Sequence, residues 1–433
     1  MKRKIYNLYW MLIRARFRHR YNRKNFDMRC IDRLIAQLAD KIYKKYENCF
    51  DSFNGFRYDI GYFATELYNV GGHTACLINL AKSVIHEKTG ALFLSRMGNS
   101  IHEAPDAIKE LTDIMDVHGI TFCSHDFVSA VIDLYNKIIV NCPRVAITYT
   151  HMDDLLFAAV AHLVKKNTGM KIIFFDHASF FPTVGMGNAD MILHGMETTR
   201  QIAITKRHIR VPCRIVGLQS VKRGETKIYT RQQIAAERRK IGIPMNAPLV
   251  VSGGVSYKFF DNNTSEFFET ARDMLVRNKK LYIMVITDLD ESQQEIISNI
   301  FADHTDALNR LIIHPRTRNF EILFQCADVF MDSFPVSAAM TQIDLMRMRV
   351  PTVVKINRKN PLYSFHEYMP TNYPYMFEKA SDLANGILYL LDNPDARKKL
   401  IADNYDFWEK TYEETIVKNK YLSFIEQVLK NDK

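Results

Sequence analysis

The chain has 433 residues, 47% of them hydrophobic and 24% charged, and a formal net charge of +10. It is too long for one hydrophobic core and too apolar for a disordered chain, so two globular domains are expected. Its seven cysteines are odd in number and include no Cys-x-x-Cys pair, which argues for free thiols in a reducing compartment and against a zinc site.

The charge is uneven. Residues 1–30 hold ten Lys and Arg against the single acid Asp27, a balance of +9. An apolar block, Ile5 to Ile13, precedes Arg14, Arg16, Arg18, Arg20, Arg23 and Lys24. A short apolar helix flanked by bases reads as an interfacial anchor on an anionic leaflet. A surface helix packed on the domain is the competing reading. Nucleic-acid binding is a third, but no recognised module accompanies the charge and no nucleic-acid partner is expected. No run approaches the roughly 18 apolar residues of a spanning helix and no signal peptide is seen, so the expected location is cytoplasmic, peripheral on the inner face of the membrane at most.

After this helical extension (1–50), with a second helix expected over Asp32 to Tyr46, strands and helices alternate through a first domain (51–221). Strands are expected at Tyr58 to Thr65, Ala91 to Ser95, Thr121 to Ser124, Val145 to Tyr149, Lys171 to Phe175, Met191 to Leu193 and Arg214 to Val216. Helices are expected at Ala75 to His86, Asp126 to Val140 and Asp153 to Lys166. Such alternation means a parallel sheet covered on both faces.

Two loops of this domain could carry chemistry. In ATELYNVGGHTA (64–75), Gly71 and Gly72 allow a tight turn into a helix, which puts His73 and Thr74 at its start. The positive end of the helix lowers an imidazole's pKa and favours the neutral ring that a general base needs. A helix-capping His is the bland alternative. In FFDHASFFPTVG (174–185), Asp176 and His177 end a strand, and Phe180 and Phe181 could face a sugar or base ring; a satisfied His with both Phe in the core is the alternative. The paired acids Asp153 and Asp154 are explained by the helix they begin.

A polar, basic connection, Lys222 to Lys240, with a helical run at Ala236 to Lys240, leads to a second domain (222–403). Strands are expected at Leu249 to Val251, Leu281 to Thr287, Leu311 to His314, Val329 to Met331 and Thr352 to Lys355. In SGGVSYKFF (252–260), glycines including Gly254 permit close approach and Lys258 offers a point charge for a diphosphate. The stretch CADVFMDSFPVSAAMTQIDLMRMRVPTVV (326–354) reads as strand, loop, helix (Ala338 to Met348) and strand. Its loop meets a helix start suited to a phosphate, with Ser337 in the loop, Thr341 as a hydroxyl donor and Asp344 as an acceptor for a ribose. Helices at Asp395 to Asp403 and Asn404 to Lys430 close the chain. Arg316, Arg318 and Asn319 are weaker candidates, more simply read as solvated loop charges.

The 326–354 stretch resembles the donor segment of nucleotide-sugar glycosyltransferases with the GT-B fold, most of all protein O-GlcNAc transferase and its bacterial relatives. Met331, Asp332, Ser333, Thr341, Asp344, Leu345 and Pro351 fall in register. Ser337 and Ala338 replace an Asn-Gly, Met340 a Thr, and Arg349 a Gly. Tyr257-Lys258 matches the family's Tyr/Ser-Lys that binds the donor diphosphate, and Gly71 to Thr74 resembles the Gly-Gly-His-Thr of some bacterial members. Asp176, His177 and Gly185 resemble remnants of another of their motifs. The resemblance implies an α/β chain of two Rossmann-like domains facing a cleft, with a C-terminal helix (404–433) crossing back to the first. It implies an inverting, metal-independent transfer from a nucleotide-sugar, UDP-linked, used as substrate with no cofactor. The acceptor would be a glycan, a lipid-linked glycan or a protein, in bacterial surface glycan or glycoprotein synthesis. His73 is the expected base and His177 its alternative. Retaining relatives carry two glutamates where this chain has Val336 and Asp344. A sugar-nucleotide epimerase of the same fold, and a non-catalytic, membrane-anchored nucleotide-binding protein, are the competing readings.

Overall fold

A computed structural model describes residues 26–69, 72–121, 126–177, 181–218, 220, 226–317, 319–358 and 360–430. The basic segment 1–24, Gly71, Phe180 and Arg318 lie outside the described residues. The chain forms two compact units, Ser220–Glu413 and the remainder, the latter including residues from Glu414 onward.

The first unit opens with α1 (Arg29–Lys45), whose buried Ile31, Ile35, Leu38, Ala39 and Ile42 recur at helical spacing and pack on α6. The alternation then runs β1 (Tyr58–Ala64), α2 (Gly72–Val84), β2 (Gly90–Leu94), α3 (Met97–Glu103), α4 (Pro105–Thr112), β3 (Asp116–Gly119), α5 (Phe127–Val140), β4 (Pro143–Tyr149), α6 (Leu155–Thr168), β5 (Lys171–Phe175), β6 (Met191–His194), α7 (Glu197–Thr205) and β7 (Cys213–Ile215). All strands pair in parallel, in the order β3-β2-β1-β4-β5-β6-β7. Asp126 and Asp154 cap α5 and α6 by accepting from the Val128 and Phe157 amides, so the acid at 154 serves the helix it precedes.

One strand departs from expectation. A strand not expected from the sequence lies at Asp116–Gly119, while the strand expected at 121–124 falls, apart from Thr121, outside the described residues. The strand at 116–119 is an edge strand with only Gly119 fully buried, so it lacks the apolar run that marks a central strand. Gly119 is required there, because a Cβ would lie 2.6 Å from the Leu94 carbonyl oxygen.

The second unit repeats the layout: α8 (Arg231–Lys240), β8 (Leu249–Gly253), α9 (Glu266–Arg277), β9 (Tyr282–Ile286), α10 (Glu291–Ile300), α11 (Thr305–Leu308), β10 (Leu311–His314), α12 (Phe320–Gln325), β11 (Val329–Met331), α13 (Ala339–Arg347), β12 (Thr352–Lys355), β13 (Met376–Phe377), α14 (Ala380–Asp392) and α15 (Pro394–Thr411). Its parallel sheet runs β10-β9-β8-β11-β12-β13. Each sheet therefore reverses direction beside its first strand, between β1 and β4 and between β8 and β11. In open α/β sheets that switch point is where ligands bind, beyond the carboxyl ends of the strands. The last helix, α16 (Glu414–Lys430), belongs to the first unit and packs on α2 and β5. The break before it falls at residues 412–413, with the Tyr412 amide still donating to the Trp408 carbonyl at 2.8 Å.

Candidate functional site

At the switch point of the first unit, polar residues leave each strand in turn: Thr65-Glu66 after β1, Ser95-Arg96 after β2, Thr150-His151 after β4 and Asp176-His177 after β5. Two of them, after β4 and β5, and the start of α2 bring His73, His151 and His177 together. The His73 and His177 rings stack with centroids 5.4 Å apart, and His151 meets His73 edge-on at 5.7 Å. Tyr68 lies parallel to His151 at 5.8 Å.

Hydrogen bonds fix the group. The Tyr68 amide donates to the Thr74 hydroxyl at 3.0 Å, so buried Thr74 braces the loop before α2. His73 Nε2 lies 3.2 Å from the Glu66 carbonyl oxygen. A carbonyl only accepts, so that nitrogen carries the proton and Nδ1 keeps its lone pair. Burial, and then the neighbouring His177, press the His73 pKa down to about 3. Burial, and then His151, take His177 down to about 4. Burial also lowers His151, against the pull of Glu66, Asp154 and Asp153. Gly72 is exposed at the helix start.

Asp176 faces inward. Its side chain is 1% exposed, with His194 Nδ1 at 3.4 Å and Arg207 Nη2 at 3.8 Å. Burial works against its charge, but Arg207 and His194 outweigh that and hold the carboxyl below its usual pKa. These two contacts engage Asp176 at the end of β5, while His177 is the residue that reaches the histidine cluster. Sequence reasoning missed Glu66, His151, His194 and Arg207. Polar residues at the ends of β4 and β6 were the available signal.

In the second unit, Lys258 follows β8 in a short turn. Its Nζ donates to the Ser337 carbonyl at 3.2 Å, leaving two of its three N–H bonds for a ligand. Gly254 leaves room for this side chain, since a Cβ there would lie 3.1 Å from Lys258 Cδ. Burial lowers the Lys258 pKa to about 8, with nearby Asp332 opposing. Asp332, wholly buried at the end of β11, accepts from the Ser337 hydroxyl, from the Ala338 amide at 3.1 Å and from Gln342 Nε2 at 3.0 Å. Burial still pushes its pKa up to about 6. Ser337 thus offers its hydroxyl to Asp332 and its carbonyl to Lys258, and it braces the start of α13. Thr341, half-buried, stands in the first turn. Asp344 already accepts from Arg347 Nε at 2.8 Å, its side chain 17% exposed. Arg316 is tied to Asp288 at 2.6 Å. Among the described residues, no three His, Cys, Asp or Glu side chains come together to hold a metal ion, and no helix is long and apolar enough to cross a membrane.

No protein-family model matches the sequence, and no curated protein does. Solved structures do. A glycosyltransferase from Rickettsia africae aligns over 88% of this chain and 100% of its own with a TM-score of 0.68 at 14% identity. Anabaena Alr3699/HepE, solved with UDP and glucose, aligns over 85% of this chain and 99% of its own, with a TM-score of 0.65 at 12% identity. Thermobaculum terrenum O-GlcNAc transferase aligns over 93% of this chain and 74% of its own, with a TM-score of 0.57 at 10% identity. At such identities the likeness speaks for the fold: two Rossmann-like α/β domains of the GT-B class, in a chain that resembles O-GlcNAc transferase at a distance.

Proposed function

We propose that the protein is a glycosyltransferase that moves a sugar from a nucleotide-sugar donor, UDP-linked, to an acceptor hydroxyl, with inversion and without a metal. The observation that carries this is Lys258 beside the Asp332-braced start of α13, at the switch point of the second sheet. An ammonium and a helix start together suit a diphosphate, and they neutralise the charge that develops on it as it leaves. The acceptor, a glycan, a lipid-linked glycan or a protein of bacterial surface glycan synthesis, is assigned to the first unit. There a histidine takes its proton, His73 and His177 being the candidates that the sequence singles out. Residues 1–24 would hold the protein on an anionic membrane surface.

Calorimetry with UDP tests the donor site. The full-length chain should bind it, and Lys258→Ala should weaken binding by about 1.5–3 kcal/mol, the worth of a hydrogen bond to a charged group. Equal affinity in the variant would remove Lys258 from the site. Binding of UDP-sugars with no release of UDP on adding any acceptor would leave a nucleotide-binding protein in place of an enzyme.

A further inference from the structure

Glu66 has a position the other acids near the histidines lack. Its side chain, 12% exposed, accepts from the Tyr68 hydroxyl at 2.7 Å and from Asn99 Nδ2 at 2.8 Å. These donors hold Oε1 at 3.7 Å from His151 Nδ1 and 3.9 Å from Arg96 Nη1. The first distance is that of an ion pair, longer than a hydrogen bond. His151 is fixed in turn by its amide, which donates to the Thr65 hydroxyl at 2.7 Å, and its side chain is 17% exposed. Asp154 is committed elsewhere, to the Thr65 and Ser95 hydroxyls and the Phe157 amide. Asp176 is committed to Arg207 and His194.

We propose that Glu66 and His151 form a carboxylate–imidazole pair that takes the acceptor's proton, with His73 and His177 as neutral neighbours. This rests on the transfer reading above. The acceptor's O–H bond breaks and its proton goes to His151 Nε2. The electron pair left on oxygen forms the bond to the anomeric carbon. The bond from that carbon to the diphosphate oxygen breaks, and the nucleoside diphosphate leaves with that pair. The new imidazolium lies against the Glu66 carboxylate, with Tyr68, His73, Arg96, Asp153 and Asp154 as its other charged or titratable neighbours. Burial opposes the charge on Glu66, but Tyr68, Asn99, His151 and Arg96 outweigh it, so the carboxylate stays ionised. No carboxylate offsets the burial of His73, which makes that ring a poor proton acceptor near neutral pH.

NMR titration of the histidine ring protons in the full-length protein tests the pair, each resonance assigned by a single His→Gln variant. His151 should show the highest pKa of the three and should lose about one unit in Glu66→Gln, the effect of removing a neighbouring opposite charge. If Glu66→Gln fails to fold, Asn99→Ala keeps the carboxylate, removes one donor from it, and should move the His151 pKa up. A His151 pKa indifferent to both changes, or below that of His73 or His177, overturns the pair. In turnover assays the acid limb of kcat/KM should move to lower pH by the same shift in Glu66→Gln; an unmoved limb also overturns it. Coupling by NMR in a chain that binds no nucleoside diphosphate would instead sink the transfer reading, so the two failures are distinct.

Discussion

Arg349 occupies a left-handed backbone conformation, φ 61°, at the position where the resembling donor segment carries glycine. A side chain there costs on the order of 1 kcal/mol. The guanidinium recovers part of it by lying over the Tyr405 ring, 4.3 Å from its centroid, a contact worth about 0.5–1 kcal/mol at an exposed site. The two terms nearly cancel. Arg349→Gly should therefore change unfolding free energy by less than about 0.5 kcal/mol, whereas Arg349→Ala keeps the strain, loses the contact and should destabilise by about 0.5–1 kcal/mol. Denaturant titration of both variants checks this, and equal losses would show that the backbone is unstrained. The same scale shows what a sequence conceals. His73 could be singled out because it follows a Gly-Gly turn, His177 because it ends an apolar strand, and Lys258 because it follows two glycines. What no residue pattern marks is the partnership of His151 with Glu66, which exists only because β1 and β4, distant in sequence, are neighbours in the sheet.

At the scale of elements, strands with continuous apolar runs were readable, and so were the helices that cover them, whereas α3 and α4 were not, being short and interrupted at Pro105. Nor could periodicity reveal how α1 is tied down. Asp32, on its first turn, accepts from the Gly185 amide at 2.7 Å and the Gly187 amide at 2.9 Å, a contact between residues over 150 positions apart. Burial, opposed by those two amides, raises its pKa to about 6. Between the unfolded value near 3.9 and about 6, the folded chain keeps a proton that the unfolded chain has released. The contribution is thus fully present below about pH 4 and is lost as pH rises through 6. Asp32→Asn removes this titration, so the stability of the native chain relative to the variant should fall by about 1–3 kcal/mol from pH 4 to 7. Melting curves of the two proteins at stepped pH test it, and parallel curves would place Asp32 in an ordinary solvated setting.

For the whole molecule, chain order and unit membership disagree in one place: α16 comes last but completes the first unit. Its Val417, Tyr421, Ile425 and Val428 are at most 3% exposed, and Lys418 reaches Glu87 at 2.6 Å. At about 1.5–3 kcal/mol for each large apolar side chain buried, these four supply on the order of 6–12 kcal/mol. That is comparable with the entire stability of a domain, about 5–15 kcal/mol, so the first unit should not survive without the helix. The second unit is continuous from Ser220 to Glu413 and carries Lys258, Asp332 and α13 within it. A chain of residues 220–413 should therefore fold alone and bind UDP within about threefold of the full-length affinity, a difference of roughly 0.7 kcal/mol. Residues 26–218 should remain unfolded alone by circular dichroism and thermal melting, and should gain a cooperative transition once residues 414–430 are joined to them by a flexible linker. A cooperative melt for 26–218 without the helix would show that the apolar face of α16 covers the unit without supporting it.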